Sequence, residues 1–141
     1  MKELTRPMLE QQYNIRVYQD NTKPCGYKIL HLGRNNRGKE FTWKELTPVV
    51  NGKYHPKSNT TKYYYVVGWS DYAANKTQIT LPLARLVYAW FFGRVPAKMD
   101  VDHIDNNSLN NSLDNLQLLT RSENLKKREG WLNQYGPKKV N

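Results

Sequence analysis

The sequence has little cysteine, few acidic residues and no long apolar run. Its single cysteine, Cys25, excludes an intramolecular disulfide and a zinc site built on cysteines. One thiol suits a reducing compartment, so we expect a cytoplasmic protein. No apolar stretch approaches the roughly 20 residues that cross a bilayer. Residues 1–20 are too polar for a secretory leader. We therefore expect no membrane partner.

The charge of the chain is strongly one-sided. Lys and Arg number 22 against 12 Asp and Glu, which gives a formal net charge of +10. An excess of this size favours a polyanionic partner, and nucleic acid is the leading candidate. A length of 141 residues allows one small domain, or one domain with an extension, and a core of modest size.

The first 80 residues have patterns typical of a small, mostly antiparallel sheet. Alternating, aromatic or β-branched stretches predict strands at 14–18, 27–32, 63–69 and 77–81. The segment 51–62 is polar and basic, and we expect a loop there. We interpret residues 1–80 as a β-rich DNA-docking region. Its candidate phosphate contacts are Arg34, Arg37, Lys39, Lys53, Lys57 and Lys62. For each of them the alternative is an ordinary solubilising charge.

A helix is predicted between this sheet and the C-terminal part of the chain. Pro82 suits its first turn, and Gly93 and Pro96 end it. Four apolar side chains share one face of this helix, and we assign that face to the core: Leu83, Leu86, Val87 and Trp90.

The C-terminal part of the chain concentrates carboxylate, imidazole and carboxamide groups. It opens with a predicted short strand at 101–104. An Asn-rich loop follows, since Asn side chains hydrogen-bond to the nearby backbone, and residues 116–120 predict a return strand. Thr120 or Ser122 then caps a helix that we expect to end before Gly130. The predicted unit is strand, long loop, strand and helix.

Four short blocks of this unit carry a resemblance to a known family. They lie at 102–106, 109–111, 114–116 and 120–124, after the helix at 83–93. In this order they resemble the HNH endonucleases, above all the free-standing HNH homing endonucleases of phages and introns. The resemblance covers about residues 80–130.

The resemblance implies a ββα-metal nuclease unit, and together with the strand patterns of the first 80 residues it predicts an α+β fold with a small N-terminal antiparallel sheet. We expect the β-rich region at 1–80, the nuclease unit with its preceding helix at 81–130, and a basic tail at 131–141. It also implies a phage-encoded protein that acts in the cytoplasm of a bacterial host cell.

The resemblance also implies a role for individual residues. His103 looks like the general base that deprotonates the attacking water, and a neutral imidazole suits that task near pH 7. Asp102 and Asn124 look like ligands of one divalent cation per active site. Their oxygen donors favour Mg²⁺ or Mn²⁺. Asn115 looks like the asparagine that ties the loop together and helps to orient the histidine. Four candidate DNA contacts lie on the closing helix: Arg121, Lys126, Lys127 and Arg128.

Together these features predict a metal-dependent endonuclease that acts on double-stranded DNA. One active site cuts one strand, so a monomer would nick, whereas a double-strand break needs a homodimer or two sequential cuts. The alternative is an inactive HNH-like DNA-binding module. The charge of the chain alone leaves an RNA partner open.

Overall fold

A computed structural model describes residues 2–34, 40–71 and 77–135 of the chain. A π-helical turn at Met8–Gln12 and a 3-10 turn at Leu113–Asn115 accompany the regular elements. The regular elements are β1 (Leu4–Thr5), β2 (Ile15–Gln19), β3 (Tyr27–Arg34), β4 (Phe41–Leu46), β5 (Val49–His55), β6 (Thr60–Asp71), β7 (Thr77–Pro82), α1 (Leu83–Phe92), β8 (Arg94–Val95), β9 (Met99–His103), β10 (Leu116–Thr120) and α2 (Arg121–Tyr135).

The strands of the described residues pair in small antiparallel sheets. Two sheets have three strands, in the orders β2–β3–β4 and β5–β6–β7. Two further pairs are β1 with β8 and β9 with β10. The last pair leads directly into α2, which completes a ββα unit. The α+β class predicted from the sequence is therefore confirmed, although the N-terminal part holds more than one small sheet.

The prediction of a loop at 51–62 is wrong, because this segment forms most of a β-hairpin. Strand β5 pairs with β6 from Val49 opposite Val66 to His55 opposite Thr60. Asn59 closes the connection with φ of 51° and a backbone hydrogen bond of 3.3 Å to the carbonyl of Pro56. The polar sequence of β5 suggested a loop because this strand has no buried face. Its partner β6, rich in Tyr, Thr and Val, supplies the β propensity.

Helix α1 lies at the centre of the fold and joins its two halves. It begins after Pro82 and ends at Gly93, whose φ of 94° places it in the left-handed region. One core cluster contains side chains from the N-terminal elements, from α1 and from β10. Its fully buried members with less than 2% exposure include Leu9, Ile15, Ile29, Val67, Leu83, Leu86, Val87 and Val95. The nuclease-like unit therefore shares a core with the sheets that precede it.

Helix α2 begins as predicted and ends later than predicted. Thr120 and Glu123 form a capping box, with a bond of 3.1 Å from Glu123 N to Thr120 Oγ1 and one of 2.9 Å from Thr120 N to Glu123 Oε1. The helix continues through Gly130 to Tyr135, so the expected stop before Gly130 is wrong. A single glycine weakens a helix by only about 1 kcal/mol relative to alanine, which neighbouring turns can offset.

No helix among the described residues is long and apolar enough to cross a membrane.

Two candidate DNA contacts, Arg37 and Lys39, lie outside the described residues.

Candidate active site

The β9–β10 hairpin supplies the framework of the site. Asp102 pairs with Gln117, and His103, the last residue of β9, pairs with Leu116. Because side chains alternate along a strand, adjacent residues leave opposite faces. The side chain of Asp102 contacts α2 through Lys127, whereas the imidazole of His103 contacts the Asn-rich loop.

The His103 imidazole is held in one orientation by Asn111. Its Nε2 lies 2.7 Å from Asn111 Oδ1. Because an amide oxygen only accepts, the contact with Oδ1 is a hydrogen bond only when Nε2 carries the proton, which leaves the lone pair on Nδ1. Burial lowers the pKa of His103, and the positive charge of Lys62 lowers it further, while the Asn111 hydrogen bond and two carboxylates oppose the shift. The imidazole is therefore neutral near pH 7, with Nδ1 able to accept a proton.

Asn111 is a candidate functional residue that sequence reasoning missed. Its side chain is 3% exposed, and its backbone carbonyl accepts a hydrogen bond of 2.6 Å from the hydroxyl of Tyr27 on β3. Burial raises the pKa of Tyr27 to about 12, so this hydroxyl keeps its proton and donates. The sequence shows Asn111 as one of several asparagines in this loop. Nothing in that pattern indicates which of them contacts the histidine.

Asn115 ties the loop together. Its Nδ2 donates to Asp105 Oδ1 at 2.9 Å and to the carbonyl of Asn110 at 2.8 Å, and its Oδ1 accepts from the backbone N–H of Asp105 at 3.1 Å. The direct contact that orients His103 comes from Asn111 instead. Asn115 is 8% exposed and acts on the loop that carries Asn111.

Asp102 is already neutralised by a lysine of α2. Its Oδ2 accepts from Lys127 Nζ at 2.5 Å and from Gln117 Nε2 at 2.9 Å. Lys127 also donates to the carbonyl of His103 at 2.8 Å. We expected Lys127 among the contacts to DNA, and the structure places its ammonium group against Asp102.

Asn124, on α2, contacts Asp100, a second carboxylate of strand β9. Its Nδ2 donates to Asp100 Oδ2 at 3.1 Å. Asp100 and Asp102 share a face of β9 because they are two positions apart. Asn124 and Lys127, about one helical turn apart, therefore contact successive carboxylates across the α2–β9 interface. Because Nδ2 bonds to Asp100, Oδ1 is the side-chain atom of Asn124 that could bind a cation.

The donor set at this interface fits a divalent cation. A carboxylate and an amide oxygen are hard ligands, and Mg²⁺ accepts few protein ligands because it retains several waters. The ammonium of Lys127 is a stand-in for such an ion, since it puts a positive charge directly on Asp102. Within the described part of the chain, no group of three or more His, Cys, Asp or Glu could hold a metal.

Four other candidate DNA contacts occupy different surroundings. Arg121 and Lys126 are exposed on α2. Arg128 extends toward the N-terminal half, where its Nη2 lies 3.1 Å from His55 Nδ1. Arg34 lies over the ring of Phe41, with its guanidinium carbon 5.1 Å from the ring centroid. The structure thus brings only part of this basic set close to His103 and Asp102.

Comparison with known proteins identifies the class to which this unit belongs. Residues 83–126, from α1 to the first turns of α2, match the HNH endonuclease family. These residues therefore form an HNH-type domain. It is 33% identical over 110 residues to a protein of Acanthamoeba polyphaga mimivirus described as an uncharacterized HNH endonuclease. The match covers 77% of this chain and 54% of the relative, so the chain spans about half of that relative's length. No solved structure matches the chain.

Proposed function

We propose that this protein is a metal-dependent DNA endonuclease that hydrolyses phosphodiester bonds. The observation that carries the proposal is the orientation of His103. A neutral imidazole is held through Nε2 by Asn111, on the strand that also bears Asp102. The membership of residues 83–126 in the HNH endonuclease family supports a nucleic acid substrate.

In this proposal His103 is the general base. Its Nδ1 takes a proton from the attacking water, and the Asn111 oxygen stabilises the imidazolium that forms by accepting from Nε2–H. Asn111 is fixed by Tyr27 and by the surrounding loop, so the base needs little reorientation when substrate binds.

Asp102 and Asn124 would hold one divalent cation, Mg²⁺ or Mn²⁺. When bound, the ion supplies charge neutralisation at the phosphate and assistance to the departing 3′ oxygen. Lys127 has to release Asp102 for this to happen, and its flexible side chain can then turn toward the phosphate backbone. Arg121 and Lys126 lie exposed on the same helix and would contact the DNA beside the cut.

Double-stranded DNA is the proposed substrate, and the net charge of +10 supports a polyanionic partner. A monomer with one such site nicks one strand, and a homodimer cuts both. Location in a reducing cytoplasm is part of the proposal and rests on the single Cys25.

Incubation of supercoiled plasmid with the protein and Mg²⁺ tests the proposal. We expect nicked circles from the wild type and from His31→Gln, which changes a histidine of β3, and none from His103→Ala. Full cutting by His103→Ala would refute the assigned base, and cutting that persists in excess EDTA would refute the role of the metal. Binding of the plasmid by the wild type without cutting would instead favour the inactive DNA-binding module. An RNA duplex tested at the same salt concentration shows whether the protein acts on DNA or on RNA.

A further inference from the structure

The β5–β6 hairpin brings basic side chains from the N-terminal half to helix α2. Lys53 lies directly opposite Lys62, and His55 directly opposite Thr60. Directly opposed residues, and residues two apart on a strand, share one face of a sheet. Lys53, Lys62 and His55 therefore lie on the same face of the hairpin. The contact of 3.1 Å between His55 Nδ1 and Arg128 Nη2 shows that this face lies toward α2.

The cations of this face are close to one another and to the candidate active site. Desolvation lowers the pKa of His55, and the charges of Arg128, Lys53 and Lys62 lower it further, so all three cations lie close enough to act on this imidazole. The charge of Lys62 also acts on His103. Lys62 thus lies near both the hairpin cluster and the proposed general base.

The pairing of Lys53 with Lys62 is unfavourable for the protein alone. Like charges directly opposite on neighbouring strands destabilise a sheet. Among the salt bridges formed within residues 2–34, 40–71 and 77–135, none includes Lys53, Lys62 or Arg128. The Asp102 carboxylate acts favourably on Lys62, but Lys127 already binds it, so a phosphate between the two ammonium groups would relieve the repulsion further.

We propose that Lys53, Lys62 and Arg128 form a binding site for a phosphate of the nucleic acid backbone, next to the phosphate that is cut. The hairpin thereby extends the nucleic acid interface beyond the HNH domain at residues 83–126. Lys62 acts as a positioning residue, because it holds the backbone while His103 acts on the water. The statement that the adjacent phosphate is cut rests on the proposed function. The binding of a phosphate by Lys53, Lys62 and Arg128 does not.

Binding of a labelled 30-base-pair DNA duplex by fluorescence anisotropy, in EDTA and over a series of salt concentrations, tests the site. Each lost phosphate contact reduces the slope of log K against log salt by about 0.9. We expect Lys53→Gln/Lys62→Gln to reduce the slope by about 2 and to bind roughly tenfold more weakly at moderate salt. The control, Lys28→Gln/Lys44→Gln, removes the same charge from exposed positions on β3 and β4 and should change the slope by less than about 0.5.

Two further readouts distinguish a phosphate site from a structural role. Removal of opposed like charges should keep or raise the Tm of Lys53→Gln/Lys62→Gln, whereas loss of a structural contact would lower it. Lys62→Arg should retain the salt slope. Equal slopes for the hairpin variant and the control would overturn the proposal. A wild type that binds DNA without nicking it would refute the proposed function alone, because the anisotropy measurement needs no cleavage.

Discussion

The hydroxyl of Tyr27 donates a hydrogen bond of 2.6 Å to the backbone carbonyl of Asn111, 84 positions further along the chain. The side chain of Asn111 in turn holds the His103 imidazole at 2.7 Å. A residue of the N-terminal sheet therefore helps to set the orientation of the proposed general base. The HNH match begins at residue 83, so this contact links the HNH domain to the sheets before it.

Tyr27→Phe should destabilise the protein and slow DNA nicking. The variant leaves the buried carbonyl of Asn111 without its donor, at a cost of about 1–3 kcal/mol. Urea unfolding compared with Tyr18→Phe, a change at a side chain that is 50% exposed, measures this effect. Equal unfolding free energies for the two variants would contradict the importance of this hydrogen bond.

The stability of the wild type should also fall at alkaline pH because of Tyr27. Burial raises the folded-state pKa of Tyr27 from 10.0 to about 12, so the folded protein retains a proton that the unfolded chain loses first. This contribution is fully present below pH 10 and is lost as the pH rises through about 12. Tyr27→Phe should show a smaller loss of stability than the wild type over that window, and identical alkaline transitions would contradict the assignment.

Asn111→Ala should reduce the nicking rate without comparable loss of DNA affinity. The His103 ring loses the acceptor that fixes its orientation and tautomer, and misplacement of a catalytic group costs on the order of 10²-fold in rate. Nitrogen NMR of His103 should show the Nε2–H tautomer in the wild type and a mixture in the variant. Asn111→Asp keeps an acceptor oxygen and should retain the Nε2–H form. An unchanged tautomer in Asn111→Ala would argue against the positioning role.

Lys127→Met should bind Mn²⁺ more tightly than the wild type. The ammonium group lies 2.5 Å from Asp102 Oδ2 and competes with any cation for that carboxylate. Without it, Asp102, whose side chain is 11% exposed, remains an unpaired partly buried charge. The metal-free variant should therefore be less stable, and Mn²⁺ should restore more stability to it than to the wild type. Calorimetric titration that gives the same Kd for both proteins would rule out the competition.

Asp100→Ala should weaken divalent metal binding through Asn124. The Asp100 carboxylate holds Nδ2 of Asn124 at 3.1 Å, and this bond directs which end of the amide is free for a cation. Loss of such a supporting contact typically costs 10- to 100-fold in metal affinity. Asp114→Ala removes an exposed carboxylate from the 3-10 turn and is the matched control. Equal metal affinity in the two variants would mean that Asp100 does not position Asn124.

The sequence by itself determined the local architecture of the HNH unit. Strand β10 covers the predicted residues 116–120, because a short apolar run between polar segments is a local signal. The start of α2 at Arg121 was likewise predictable from the Thr120 cap, whose partner Glu123 is three positions away. Local patterns of this kind need no knowledge of the rest of the fold.

The tertiary structure alone decided which side chains meet. Selection of Asn111 rather than Asn115 as the partner of His103 depends on the path of the loop and on Tyr27. The segment 51–62 became a hairpin because β6 was available to pair with it. Contacts between residues far apart in sequence leave no periodic trace in either segment, so the position of Lys127 on Asp102 follows only from how α2 packs against β9.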